Sequence, residues 1–238
     1  VGSLATALLE KAPSDAWASL MLARACLQMG DRDRAAEKLA EVQRQAPDSV
    51  FAAEAQRGSF ALAEPESARE LDAVGRAGNS AALSDLESLL ARARQLAAQH
   101  EVWPAWFTVG IIERRRERWK AARDAFDRAL GLAKGCTPAH MELVGTCIAL
   151  DKPAAAVFHA EQACALEGEN PRTLGAYATA LLAMPQPKEA AAVIARALRL
   201  DPTDLANLAL ADRIHARKVP ESTLRRWRRW LLGPKRAR

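Results

Sequence analysis

Aromatic side chains are scarce in this 238-residue chain, at 5% of residues with a single Tyr. Alanine and leucine recur throughout instead, which gives little support to a β-sandwich or barrel and suits closely packed helices. Cysteine is sparse too. Cys26, Cys136, Cys147 and Cys164 show no CxxC spacing, so a disulfide framework is not expected and a reducing compartment, the cytoplasm, is favoured. No stretch of about 18 apolar residues suggests a membrane span. The N-terminus has no basic segment followed by a long apolar run, although the chain opens on Val1 and this stretch does not speak for the parent protein.

Catalytic signatures are equally absent. GxxxxGK[ST], GxSxG and HExxH do not occur, and the acidic residues scatter as expected for solvated helix faces, so neither an enzyme nor a cofactor is expected. Cys136 and His140, with Cys147 and His159 nearby, suggest a metal site only superficially, since zinc sites prefer recurring short pairs. Packing explains them better, and no metal is expected.

Hydrophobic residues make up 50% of the chain and charged residues 26%, the balance of an ordered soluble protein. The formal net charge is +5, yet residues 220–238 alone hold seven basic residues against one acidic, leaving the rest close to neutral. The chain is thus a nearly neutral body with a basic tail, not a uniformly basic nucleic-acid surface.

Written in rows of 34 residues, three segments align without a gap: Trp103–Cys136, Thr137–Asn170 and Pro171–Asp204. Their columns hold Ala122, Ala156 and Ala190, then Ala129, Ala163 and Ala197, then Leu132, Leu166 and Leu200. Small residues seven apart lie two turns apart on one helix face, where only a methyl group fits between crossing helices. The first half of each row supplies the facing wall through Trp106, Val109 and Gly110, then Leu143 and Val144, then Leu174, Tyr177 and Ala178. Cys147 and Cys164 fall in columns held elsewhere by leucine, and His140 in the column of Trp106 and Leu174. A fourth row, Ala16–Ser49, fits with Leu22, Ala23, Cys26, Gly30, Ala35, Leu39 and Pro47.

This pattern resembles the tetratricopeptide repeat family, with its large residue, Leu-Gly-like pair, two spaced alanines and closing proline. Pro47 and Pro202 close two rows, whereas Lys134 and Gly168 stand at the proline position of the others. Pro13 lies 34 residues before Pro47, so Ser3–Lys11 reads as the second helix of a repeat whose first helix lies upstream. The resemblance implies an all-α fold: a right-handed α-α superhelix of antiparallel helix pairs spanning 1–219, with an irregular insertion in the middle and a capping helix at 203–218. Residues 50–102 form the irregular part. Helical patterns occur at Val50–Ala63, Glu66–Ala77 and Ser80–His100, and the simplest arrangement pairs the first with the third as a degenerate repeat. Glu64–Asn79 then becomes an inserted excursion, with Gly75, Gly78 and Asn79 marking a turn. In the capping helix Thr203 is the expected cap, and Leu205, Leu208, Ile214 and Leu210 the expected inward face.

In the family resembled, the first helix of each repeat lines a groove that receives a peptide or a partner helix. Carried over column by column, the groove positions are Arg24, Gln28, Phe107, Ile111, Arg114, Arg115, Met141, Arg172 and Thr179. Phe107, Ile111 and Met141 flanked by arginines imply a partner with apolar anchors and some negative charge. The lysine and asparagine set with which some members grip a C-terminal carboxylate is missing from these columns. Arg114, Arg115, Arg116, Arg118 and Lys120 crowd one turn, as a solvated turn or as a contact for an acidic peptide.

The tail places Leu224, Trp227, Trp230 and Leu231 along one side of a helix, with Arg225, Arg226, Arg228 and Arg229 beside them. That pattern suits an anionic membrane surface, docking on the solenoid or a linker, with nucleic acid disfavoured. The expected function is therefore a protein-interaction scaffold or adaptor. The alternatives are the substrate-recruiting region of a larger enzyme, such as a transferase or oxygenase, and a membrane-associated assembly factor held by the tail.

Overall fold

Short polar side chains sit where helices begin. Asp15 accepts a hydrogen bond from the amide of Ala18, Asp31 from Arg34, and Ser49 from Ala52. The computed structural model describes residues 15–184 and 187–218. The half repeat at Ser3–Lys11, Pro13 and the tail 220–238 lie outside the described residues. Every regular element among the described residues is helical: α1 (Ala16–Met29), α2 (Arg32–Gln45), α3 (Val50–Ala63), α4 (Pro65–Ser80), a 3-10 turn (Leu83–Asp85), α5 (Leu86–His100), α6 (Trp103–Arg115), α7 (Trp119–Leu132), α8 (Thr137–Ala149), α9 (Pro153–Glu167), α10 (Pro171–Ala183), α11 (Pro187–Leu200) and α12 (Leu205–Lys218).

The chain divides into two compact units, 1–152 and 153–238, so the row Thr137–Asn170 is shared between them. In the first unit α1 packs on α2, α2 on α3, α6 on α7 and α7 on α8. In the second, α9 packs on α10, α10 on α11, and α12 on both α10 and α11. The alanine columns at 122, 156 and 190 and at 129, 163 and 197 are wholly buried. The leucine column is not: Leu132 and Leu166 are half-buried and Leu200 is exposed, because each lies at a helix end. A β-carbon on Gly110 would lie 2.4 Å from the ring of Phe126, so α6 and α7 cross at a distance only glycine allows.

In the rows that begin at Ala16, Trp103 and Thr137, the turn between the two helices uses a left-handed residue at a fixed position. Gly30, Glu117 and Asp151 occupy it, with φ of 80°, 58° and 55°. Gly168, at a missing proline position, ends α9 with φ of 74°.

The middle of the chain departs from the expected pairing. α3 packs chiefly on α2, and α5 packs on α4 and α6, while α3 and α5 meet at the ring contact of Phe60 with His100. Nor is Glu64–Asn79 a surface excursion. α4 runs to Ser80 and contributes Leu71 and Val74 to the core cluster that holds Leu86, Leu90, Leu96, Val109 and Ile112. Gly75 and Gly78 lie inside this helix and face Thr108 and Ile112 of α6, so they permit close helix packing rather than mark a turn. The helix expected at Ser80–His100 begins at Leu86 after the 3-10 turn.

α3 also reaches forward past α4 and α5. The indole of Trp103 donates to the carbonyl of Ala53, Gln56 donates to the carbonyl of Leu132, and a β-carbon on Gly135 would meet the Ser49 backbone at 2.0 Å.

α12 corrects two further expectations. Asp204, not Thr203, caps it by accepting from the amide of Asn207, while Thr203 binds the Asp201 carboxylate. Asn207, Leu210, Ala211 and Ile214 form its buried stripe, and Leu205 and Leu208 are exposed. Asn207 belongs there because its amide donates to the carbonyl of Pro171 at 3.0 Å, which offsets the burial of a polar group.

Candidate functional site

A cleft of about 340 Å³ opens in the first unit between α3, α4, α6 and the start of α8. It exists because α4 packs along α6 through its small-residue stripe while touching α3 more sparsely. Trp103, Pro104, Phe107 and Pro138 form an apolar floor. Phe107 is half-buried and wedged between Trp103 and Phe126, with ring centroids 6.2 and 5.7 Å away. The floor is therefore rigid aromatic surface, which loses little rotamer entropy when something is laid on it. Gly75 on α4 and Thr108 on α6 complete the walls.

Charges rim the cleft in pairs. Arg24 of α1 reaches Glu54 of α3 at 3.3 Å, and Arg57 of α3 reaches Asp72 of α4 at 3.3 Å. All four side chains are close to half exposed, so these pairs orient the rim more than they stabilise the fold. Arg76 also lines the cleft, and it faces no carboxylate within ion-pair distance among the described residues.

Of the residues expected to line a groove, Phe107 lies in the cleft and Arg24 stands beside it through Glu54. Gln28 is exposed on α1 and Met141 half-buried on α8. Ile111 is a correction: it is buried against Ala122, Phe126 and Leu143 in the core between helices. The arginine cluster is largely engaged within the chain. Arg114 pairs with Glu142 at 2.9 Å, Arg115 donates to the carbonyls of Gly78 and Ala81, and Arg116 pairs with Glu87. Arg115 thus closes the end of α4 instead of reading a ligand. Arg172 and Thr179 belong to the second unit, where Arg172 pairs with Glu167 and Thr179 bonds the carbonyl of Gly175. The tail positions Arg225, Arg226, Trp227, Arg228, Arg229 and Trp230 lie outside the described residues.

Trp103, Pro104, Pro138 and all the cleft residues of α4 escaped the column reading. Those of α4 lie in the stretch that the 34-residue period leaves over. The spacing of Leu71, Val74, Gly75 and Gly78 was the available signal, since it marks one packing face.

Among the described residues no three His, Cys, Asp or Glu side chains converge as metal ligands. Burial pushes the Cys136 thiol up to about 12, so it packs as an apolar group. No described helix is long and apolar enough to cross a membrane.

Residues 3–56 match the tetratricopeptide repeat family. No curated protein matches the chain. A chain of the APC/C hetero-tetramer Cut9-Hcn1 is similar over 88% of this chain and 45% of its own, at 17% identity and a TM-score of 0.53. YrrB, a TPR protein with an unusual peptide-binding site, aligns over 92% of this chain and all of its own, at 12% identity and a TM-score of 0.49. TTC0263, a thermophilic TPR protein of Thermus thermophilus, aligns over 84% and 97%, at 19% identity and a TM-score of 0.47. The first of these likenesses supports the fold alone.

Proposed function

We propose that this chain, whose helical hairpins resemble tetratricopeptide repeats, works as a non-catalytic protein-interaction scaffold whose cleft between α3, α4 and α6 seats an apolar side chain of a partner segment. One observation carries this reading: the aromatic and proline floor at Trp103, Pro104, Phe107 and Pro138 lies open beneath a charged rim. About 340 Å³ is at the lower end of ligand pockets and fits an anchor of one or two side chains. Burying such an anchor supplies most of the affinity, and the rim selects what stands beside it. Because Arg24 and Arg57 already have carboxylate partners, Arg76 is the cation left to receive an acidic group of the partner.

Gly75 provides the test. A β-carbon there meets only Thr108, at 3.6 Å or beyond, so Gly75→Ala fits and Gly75→Leu fills the cleft from its wall. On an array of peptides pairing an aromatic or leucine anchor with an acidic neighbour, the intact chain and Gly75→Ala should bind the same subset. Gly75→Leu should lose it and Arg76→Glu should weaken it. Unchanged binding by Gly75→Leu excludes the cleft as the site.

A further inference from the structure

α12 repeats α10 one 34-residue period later, and the side chains of α10 fall into two sets. Thr173 and Ala180 are buried, and so are their counterparts Asn207 and Ile214. Leu174, Ala178 and Leu181 pack in the cluster α10 builds with α11, the second helix of its own row, and are at most 2% exposed. Their counterparts on α12 are Leu208, 40% exposed, and the exposed Asp212 and His215. Among the described residues, α12 therefore has its stacking face filled and its hairpin face bare.

We propose that residues 221–232 of this chain occupy that face, as the second helix of a hairpin with α12. Spacing is the first support. α11 begins at Pro187, and one more period reaches Glu221. The positions buried in α7 are Ala122, Ala125, Phe126 and Ala129, and those in α11 are Ala190, Val193, Ile194 and Ala197. The same columns in the next row hold Leu224, Trp227, Arg228 and Leu231, three of them apolar.

The facing columns account for the arginine. Gly110 lies directly against Phe126, so these two columns touch. One row beyond Asp204 they hold Asp212 and Arg228, opposite charges in place of an apolar contact. A second touching pair of columns gives the same match. Arg128 lies 4.0 Å over the ring of Trp106, and those columns in the last row hold Trp230 and Leu208. An indole at that position covers the leucine that α12 leaves bare, burying apolar surface on both sides. Val219 and Pro220 provide the turn, close to the three residues that join α10 to α11. In this arrangement Arg226 and Arg229 take the columns of the exposed Asp124 and Asp127 and point to solvent. The tryptophans are then part of the repeat stack rather than a membrane contact.

Hydrogen exchange of the full chain in lipid-free buffer tests this directly. Amides 221–232 should exchange within about tenfold of those of α12, as members of one cooperative unit. Asp212→Arg should abolish their protection, and adding Arg228→Asp should restore it. Leu208→Ser should weaken it while the amides of α10 stay protected, showing that the unit remains folded. Free exchange of 221–232 in water overturns the proposal. So does protection that appears only with phosphatidylglycerol vesicles, which assigns the segment to a membrane surface, and so does protection indifferent to changes at Asp212 and Leu208.

Discussion

The Trp103 indole donates a hydrogen bond to the carbonyl oxygen of Ala53, 2.9 Å away and 50 residues earlier in the sequence. Trp103 is buried at the start of α6, so this bond fastens α6 to α3 and ties off the segment that carries α4 and α5. Trp103→Phe removes this added bond to a carbonyl that already accepts within α3, and shrinks the packing. A loss of roughly 2 kcal/mol in chemical unfolding of the first unit is expected, with amide exchange of α10–α12 unchanged.

Glu117 holds a left-handed backbone, with φ of 58°, at the position where Gly30 makes the same turn in the first row. A side chain there costs about 1 kcal/mol relative to glycine. Glu117→Gly should therefore raise stability by about 0.5–1 kcal/mol, measured as a higher denaturant midpoint with an unchanged slope. A lowered midpoint would show that the Glu117 side chain has a compensating partner.

Arg115 donates to the carbonyls of Gly78 at 2.7 Å and Ala81 at 3.0 Å, satisfying groups that the end of α4 leaves without helical partners. Arg115→Met should lose about 1–3 kcal/mol and deprotect the last turn of α4 in hydrogen exchange. Arg115→Lys should recover only part of this, because one ammonium cannot span both carbonyls as a guanidinium fork does.

Glu142 pairs with Arg114 at 2.9 Å, yet burial outweighs that attraction and holds its carboxyl above the ordinary carboxylate value. The folded chain thus holds this proton more tightly than the unfolded chain does. Stability falls as pH rises from the ordinary value through the raised one, and the deficit is complete above it. Glu142→Gln cannot ionise, so it should be the more stable protein at neutral pH. Its advantage should narrow and vanish as pH falls below about 4. A variant less stable than the parent at neutral pH would show that the pair with Arg114 dominates.

The rows at 16–49 and 103–204 were legible in the sequence because buried alanine repeats at a fixed step, and steric crowding leaves few other residues able to stand there. Two places were not legible, for a common reason: in each, an atypical residue occupies the packing face. On α4 the face is Leu71, Val74, Gly75 and Gly78, and glycine in that company reads as a breaker unless its spacing is counted. On α12 the polar Asn207 lies in the buried stripe with Leu210 and Ile214, which face inward as expected, while Leu205 and Leu208 on the same helix are exposed. The cleft shares the first of these causes, since its far wall is α4. The arginine cluster was visible as charge. Its partners, the carbonyls of Gly78 and Ala81 and the carboxylate of Glu142, lie 28 to 37 residues away and leave no local trace.

Contacts of α3 with Trp103, Leu132 and Gly135 also bear on how the first unit melts. An array whose rows touch only their neighbours frays from an end, and partly unfolded forms accumulate along the way. Here the Ser49–Ala53 backbone cannot part from the 132–136 turn and Trp103 without opening a loop that encloses α4 and α5. Closing that loop on refolding demands contacts between distant parts of the chain at once, which slows the nucleus and couples its two sides. Residues 50–136 should therefore unfold in one sharp transition, as a globular domain does, within a chain whose sequence advertises a modular one.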